Sequence, residues 1–312
     1  MNSSTGLSCA KARYRARSAA LLATAASALF LVAATTALAQ DRDVEVNVTP
    51  VGGAVHMLEG AGGNLGVSAG EDGVLIIDDQ FDWIAPKIRA ALSKLGSGKP
   101  KFILNTHWHG DHTGGNKVFG ADGTIVAHEN VRQRLESGGS VLGRDAPPAP
   151  RVALPVITFD EELSVHFNGE RIRAHHMPRA HTDGDIVIFF TKSNVVHMGD
   201  TFFAERFPFV DLGSGGSVPG LIAGIEGVLP QIPKSAAIIP GHGPVSTIDG
   251  LKTYLAMLKK TAAIVKDGMD AGMSKEEIVA KGLGEKWKGW GSGFIDEERW
   301  IGILHESLGA AD

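Results

Sequence analysis

Three imidazoles and a carboxylate fall within six residues at His107-Trp108-His109-Gly110-Asp111-His112. Along extended backbone, alternate side chains project to the same side, so His107, His109 and Asp111 converge on one pocket and His112 enters from the next turn. Neutral imidazole and carboxylate are ordinary ligands for zinc, and the same donors accept iron or manganese. Chance clustering on a solvated surface is a poor account of so regular a register among 12 histidines in 312 residues.

Such a cluster needs stiff elements behind it. Residues 102–104 (Phe-Ile-Leu) read as a buried strand that delivers the chain into the histidines. Residues 73–78 (GVLIID) form the continuous apolar run of a strand covered on both faces, followed by a helix over 86–95 that stops at Gly96. From 44 to 77, glycines punctuate a series of short strands. Further strands are expected at 171–176, 185–191, 194–198 and 236–239. Helices are expected at 218–229, at 251–265 and after Ser274, whose pairing with Glu277 has the form of a capping box. Strands arrive in two batches, each followed by helices, which predicts two packed sheets with helices outside. Residues 138–150, rich in glycine and proline, read as a long surface loop.

The H-x-H-x-D-H segment after an apolar strand resembles the signature of the metallo-β-lactamase superfamily. Other motifs match one at a time: Asp78 closing a buried strand, His181 in Ala180-His181-Thr182-Asp183-Gly184-Asp185, Asp200 in Met198-Gly199-Asp200-Thr201, and His242 in Gly241-His242-Gly243. The resemblance implies an α/β fold, the four-layer αββα metallo-β-lactamase sandwich, with a dinuclear zinc site at one edge and iron or manganese as alternatives. His107, His109 and His181 would hold one ion and Asp111, His112 and His242 the other, with Asp200 between them. A cation pair roughly 3.5–4 Å apart lowers the pKa of water to about 7, and its net positive charge suits an acyl or phosphoryl oxygen that turns anionic in the transition state. Asp111 would be catalytic by orienting that nucleophile, with Asp78 and Asp183 supporting the ligands.

The resemblance also sets limits. Zinc β-lactamases of the first subclass use a cysteine near the position of Asp200, so the aspartate resembles instead the glyoxalase II, lactonase and ribonuclease Z branches. Asn64, in the Gly60–Asn64 turn, and Phe203 are the candidates for substrate contact. Phe202, Phe207, Pro208 and Phe209 are read as an apolar pocket wall or as core, with Glu205 or Asp211 at the rim. Tyr254 is expected on a helix away from the metals, and His197 is expected to be structural, facing away from Asp200. Trp287, Trp290 and Trp300 are read as packing among terminal helices.

Lys11, Arg13, Arg15 and Arg17 precede an apolar run over 19–38 that ends in Ala37-Leu38-Ala39, the pattern of an export signal over 1–39. Cleavage leaves a hydrolase domain over 40–312, located in the periplasm or secreted, with no membrane segment. It also removes Cys9, the one cysteine, so neither disulfide nor thiolate ligand is available. Losing four cations takes the formal charge from −5 to −9, which argues against a nucleic-acid partner. The expected function is metal-dependent hydrolysis of a small-molecule ester, lactone, thioester or amide, with β-lactams among the candidates. The alternative reading is an iron-dependent oxidoreductase of the same fold, resembling the persulfide dioxygenases. A metal-binding protein without turnover is the third, disfavoured because every ligand position is filled.

Overall fold

A computed structural model describes residues 44–310; the expected leader over 1–39 lies outside the described residues. The first sheet contains β1 (Asn47–Gly52), β2 (Val55–Glu59), β3 (Leu65–Gly70), β4 (Gly73–Ile77), β5 (Phe102–Leu104) and β6 (Thr124–His128). A two-stranded hairpin, β7 (Gly139–Val141) and β8 (Arg144–Ala146), stands apart before β9 (Ile157–Phe159) closes that sheet in the order β1-β2-β3-β4-β5-β6-β9. The second sheet runs in chain order through β10 (Glu162–Phe167), β11 (Glu170–Met177), β12 (Asp185–Phe190), β13 (Val195–His197), β14 (Ala237–Ile239) and β15 (Ser246–Thr247). β4, β5, β6 and β9 are parallel, as are β13 and β14, and the other pairs are antiparallel.

Side-chain alternation builds the layers. On β4, Leu75 and Ile77 point inward and meet Ile172, Ile188 and Phe190 of the second sheet. Val74 and Ile76 point the other way, onto Ile88 and Leu92 of α1 (Ala85–Leu95). Two very short helices, α2 (Gly110–Thr113) and α3 (Asn116–Phe119), continue the histidine segment, and α4 (Glu129–Ser137) follows β6. The outer face of the second sheet is covered by α5 (Val218–Val228), α6 (Ile248–Asp270), α7 (Lys275–Lys281) and α8 (Glu297–Gly309). Leu251, Tyr254 and Leu258 of α6 are fully buried there, and the Trp300 indole of α8 donates to Thr261 Oγ1 at 3.0 Å. The result is the expected four-layer αββα sandwich, with a core between the sheets and one beneath each helix layer.

Local expectations are met to within a few residues at α1, β5, β11 to β14 and α5, and the capping box of Ser274 and Glu277 forms at α7. One expectation needs correction. The 138–150 stretch is not an irregular loop, since β7 and β8 pair within it, Val141 opposite Arg144. Leu142 and Gly143 make its turn at φ of 53° and 71°, the left-handed geometry that a tight hairpin requires.

Candidate metal centre

Every candidate ligand sits just beyond the end of a strand. His107, His109, Asp111 and His112 follow β5, His181 joins β11 to β12, Asp200 follows β13, and His242 follows β14. The structure brings all seven together. Donor atoms of His107, His109, His181 and Asp200 lie within 4.8 Å of one another, and so do those of Asp111, His112 and His242. The rings of His107, His109 and His181 are each 4.7 Å from the next, at 84°, 89° and 90°, like three blades about one axis. Asp200 faces both groups. Its Oδ2 lies 3.8 Å from His107 Nε2 and 3.6 Å from His181 Nε2, whereas its Oδ1 lies 3.0 Å from His112 Nε2 and 3.5 Å from His242 Nε2. Asp111 Oδ2 is 3.3 Å from His242 Nε2.

Hydrogen bonds on the outer side of each ring decide which nitrogen points inward. His181 Nδ1–H donates to the Phe209 carbonyl at 2.7 Å, and His109 Nε2–H to Asp211 Oδ2 at 2.8 Å. His112 Nδ1–H donates to Asp78 Oδ2 at 2.7 Å. The Thr106 hydroxyl gives its hydrogen to Asp78 and so accepts from His107 Nδ1–H at 3.0 Å. These partners leave a lone pair on each inward nitrogen. His181 Nε2 and His109 Nδ1 then face each other at 2.9 Å, while the buried His107 Nε2, His112 Nε2 and Asp200 Oδ1 have no hydrogen-bond partner among the described residues. Lone pairs aimed at a common point in a dry interior are costly unless a cation lies between them. The donor set and its geometry therefore fit divalent metal ions.

The electrostatics show which groups of the cluster call for positive charge. Burial, then the neighbouring His112, holds His107 well below the usual imidazole range, and burial takes His181 down to about 4. Burial also opposes charge on His112 and His242, but Asp200 and Asp111 outweigh it, raising His112 strongly and His242 to about 9. Against the same burial, His112 and His242 hold Asp200 well below the carboxylate range and Asp111 at about 2. Both carboxylates stay ionised and draw positive charge towards themselves.

Two glycines let the chain close over this cluster. A Cβ on Gly63 would fall 2.1 Å from His112 Cε1, and one on Gly241 would fall 2.0 Å from Asp200 Oδ1, so neither position tolerates a side chain. The Gly60–Asn64 turn is tied down by Gln80, which donates to the Gly63 carbonyl at 2.7 Å and accepts from Ala61 N–H at 3.0 Å.

A profile of the Metallo-beta-lactamase superfamily matches residues 36–253. The chain belongs to that superfamily. It is 28% identical over 145 residues to the hydroxyacylglutathione hydrolase of Pelagibacter ubique, covering 46% of this chain and 51% of that protein. It is 30% identical over 142 residues to the enzyme of the same name from Polaromonas sp., covering 45% and 47%. The chain thus spans about half the length of the curated relatives it matches. Among solved structures, a metallo-beta-lactamase from Pontibacter korlensis superposes with a TM-score of 0.56 at 16% identity, covering 69% of this chain and 99% of that one. The sec-alkylsulfatase Pisa1 from Pseudomonas sp. does so with 0.62 at 16%, covering 84% and 50%. These likenesses bear on the fold, and the buried His/Asp groups are a candidate metal site of a metallo-beta-lactamase superfamily member.

Not every residue singled out in this metallo-beta-lactamase superfamily member sits where the sequence put it. Asn64, expected to reach substrate, is buried and spends its amide hydrogens on the carbonyls of Pro240 at 3.0 Å and Gly243 at 2.8 Å; it holds the His242 loop. Asp183, expected to support a ligand, instead makes a two-pronged pair with Arg134, at 2.8 and 2.5 Å. Phe203 does line the cavity above the cluster and stacks on the His242 ring at 5.2 Å. Phe202 is core, packed on Tyr254 at 5.1 Å. His197 donates from Nε2 to the Asn64 carbonyl at 3.0 Å, a structural role.

Asp211, expected at a pocket rim, is buried and orients His109. It is itself held by the Ser214 hydroxyl at 2.6 Å, which accepts from the Trp108 indole at 3.1 Å. The only trace in the sequence is an acidic residue directly after the apolar Phe207–Val210 run. Asp211→Ala frees the His109 ring to rotate and removes its charge partner, so metal affinity is expected to fall about 10- to 100-fold with the fold retained. Competition with a chelating dye measures this, and unaltered affinity would show that Asp211 does not orient the ligand.

Proposed function

We propose that this chain hydrolyses an acyl bond in a small ester, lactone, thioester or amide, using two divalent cations, zinc foremost, held by the seven clustered residues. The observation that carries the reading is the pair of donor groups meeting at one carboxylate, with His107, His109 and His181 on one side of Asp200 and Asp111, His112 and His242 on the other. That two-sided arrangement favours a dinuclear hydrolase over the single-iron oxidoreductase. Thioesters stand first among the candidates because the matched relatives are named hydroxyacylglutathione hydrolases. The leader pattern of the sequence favours action outside the cytoplasm.

A cation pair in this position supplies Lewis-acid polarisation of the acyl oxygen and lowers the pKa of water. The protein's own groups then have distinct tasks. Asp111 is partly exposed to the cavity and ionised down to about pH 2, so it accepts a hydrogen bond from the attacking water and orients it. Phe203, stacked on the imidazole, fixes the His242 ring at the cavity floor. Phe207 and Phe209 line the wall and keep bulk water from the acyl group. In the net reaction water's oxygen bonds to the acyl carbon, the bond to the leaving oxygen, sulfur or nitrogen breaks, and one proton of water ends on the leaving group.

The test is a panel of thioesters, esters, lactones, phosphodiesters and β-lactams offered to protein loaded with zinc, manganese or iron. Turnover of an acyl substrate, abolished by a chelator and restored by about two equivalents of metal, is expected. Failure to take up metal, or turnover that survives complete chelation, would sink the proposal.

A further inference from the structure

The cavity above the metal cluster holds about 610 Å³ and is lined by Asp111, Asp200 and His242 at its base. Its walls are of another character. Phe81 and Phe209 line them, Leu142 comes in from the turn of the β7–β8 hairpin, and Phe294 comes from the segment before α8. Leu142 is 53% exposed and Phe294 65% exposed, among the largest apolar side chains left in water, and Trp83, 39% exposed, stacks beside Phe81. Large exposed apolar groups gathered round a pocket mouth mark a surface that an apolar ligand covers.

Cationic groups are set into the same wall. Arg206 lines the cavity half-buried, its aliphatic stem close against Gly293, and Arg144 reaches it from the hairpin. Among the described residues neither guanidinium makes a side-chain hydrogen bond or an ion pair, although the other partly buried arginines Arg89, Arg132, Arg134 and Arg173 all do. Among the described residues, Asp145 is the one acid on the wall away from the metal cluster. A guanidinium carried on an apolar wall and paired with no carboxylate is poised for an anionic ligand group, which its planar fork binds through two parallel hydrogen bonds.

We propose that the substrate is an amphiphilic anion, an acyl compound whose apolar chain lies against Leu142, Phe209 and Phe294 and whose anionic group pairs with Arg206. This rests on the hydrolase reading for the word substrate, but the binding claim stands on the wall alone. Arg206 is preferred to Arg144 because its stem is packed and the Arg144 side chain is exposed.

Calorimetric binding of decanoate, decanol and decyltrimethylammonium to the metal-loaded protein, below their micellar concentrations, tests it. Decanoate is expected to bind about tenfold or more tighter than decanol, and the cation weakest. Arg206→Ala should erase the preference for decanoate and leave decanol unchanged, with Arg206→Lys restoring part of it. Phe294→Ala should weaken decanoate and decanol alike, by about tenfold at most. Decanoate binding that keeps its advantage in Arg206→Ala would put the carboxylate elsewhere, on the cations above all, and overturn the assignment. Equal binding of decanoate and decanol to the wild type, or no loss in Phe294→Ala, would overturn it too. Turnover is not read in these titrations, so a protein that binds decanoate through Arg206 and hydrolyses nothing would refute the hydrolase reading alone.

Discussion

On the proposed dinuclear reading, Asp200→Ala is expected to weaken both cation positions about a hundredfold and to cut acyl hydrolysis by about a thousandfold or more. Structural zinc sites bind with about 10–16 kcal/mol, so one of four ligands is worth on the order of 3 kcal/mol, roughly a hundredfold in affinity. Asp200 faces both groups of imidazoles, so its removal weakens both positions together and takes away the negative charge that offsets two adjacent cations. The fold should survive, since Asp200 Oδ1 has no hydrogen-bond partner among the described residues. The checks are elemental analysis of metal per chain, turnover at saturating metal, and far-ultraviolet circular dichroism. A variant that retains about two metals per chain would show that Asp200 does not lie between them.

The candidate ligands were legible because each sits in a short motif at the mouth of a strand, and a strand end is easy to see where an apolar run meets glycine and charge. Residues 73–78 and 102–104 are such runs, and they carry Asp78 and the His107–His112 segment. What escaped depends on contacts between distant parts of the chain. Asp211 reaches His109 across 102 positions, and Asn64 reaches Gly243 across 179; no local pattern encodes either. The β7–β8 hairpin was missed because strands of three residues show no alternation and the flanking prolines read as irregular chain. It matters for function all the same, for it brings Leu142 and Arg144 to the cavity wall. Strands β6 and β10 and helix α4 were likewise not anticipated. The α4 sequence ENVRQRLES buries Val131 alone, too little apolar periodicity to announce a helix.

Asp78 presents the opposite case to Asp200, a carboxylate whose loss should be felt first by the fold. It is fully buried and accepts from Thr106 N–H, the Thr106 hydroxyl and His112 Nδ1–H, each at 2.7 Å. Asp78→Ala leaves these donors without an acceptor in a dry interior, at about 1–3 kcal/mol apiece before relaxation. Alanine must also adopt the φ of 60° that aspartate holds here, a left-handed conformation costing about 1–2 kcal/mol. A net loss of about 3–5 kcal/mol follows, lowering the melting temperature by roughly 10 °C for a domain of this size. Asp78→Asn separates the two duties of the residue. Its amide oxygen still accepts from Thr106 N–H, and asparagine tolerates the backbone angle, so part of the stability returns. Its NH₂ group, however, meets the Nδ1–H of His112 head on and drives the ring towards the wrong tautomer, so metal affinity should stay about 10- to 100-fold down. Thermal unfolding of the metal-free protein and dye competition of the metal-loaded one read the two effects independently. If asparagine restored metal affinity along with stability, the Asp78–His112 contact would be packing alone, and the orientation of His112 would have to come from its place in the loop.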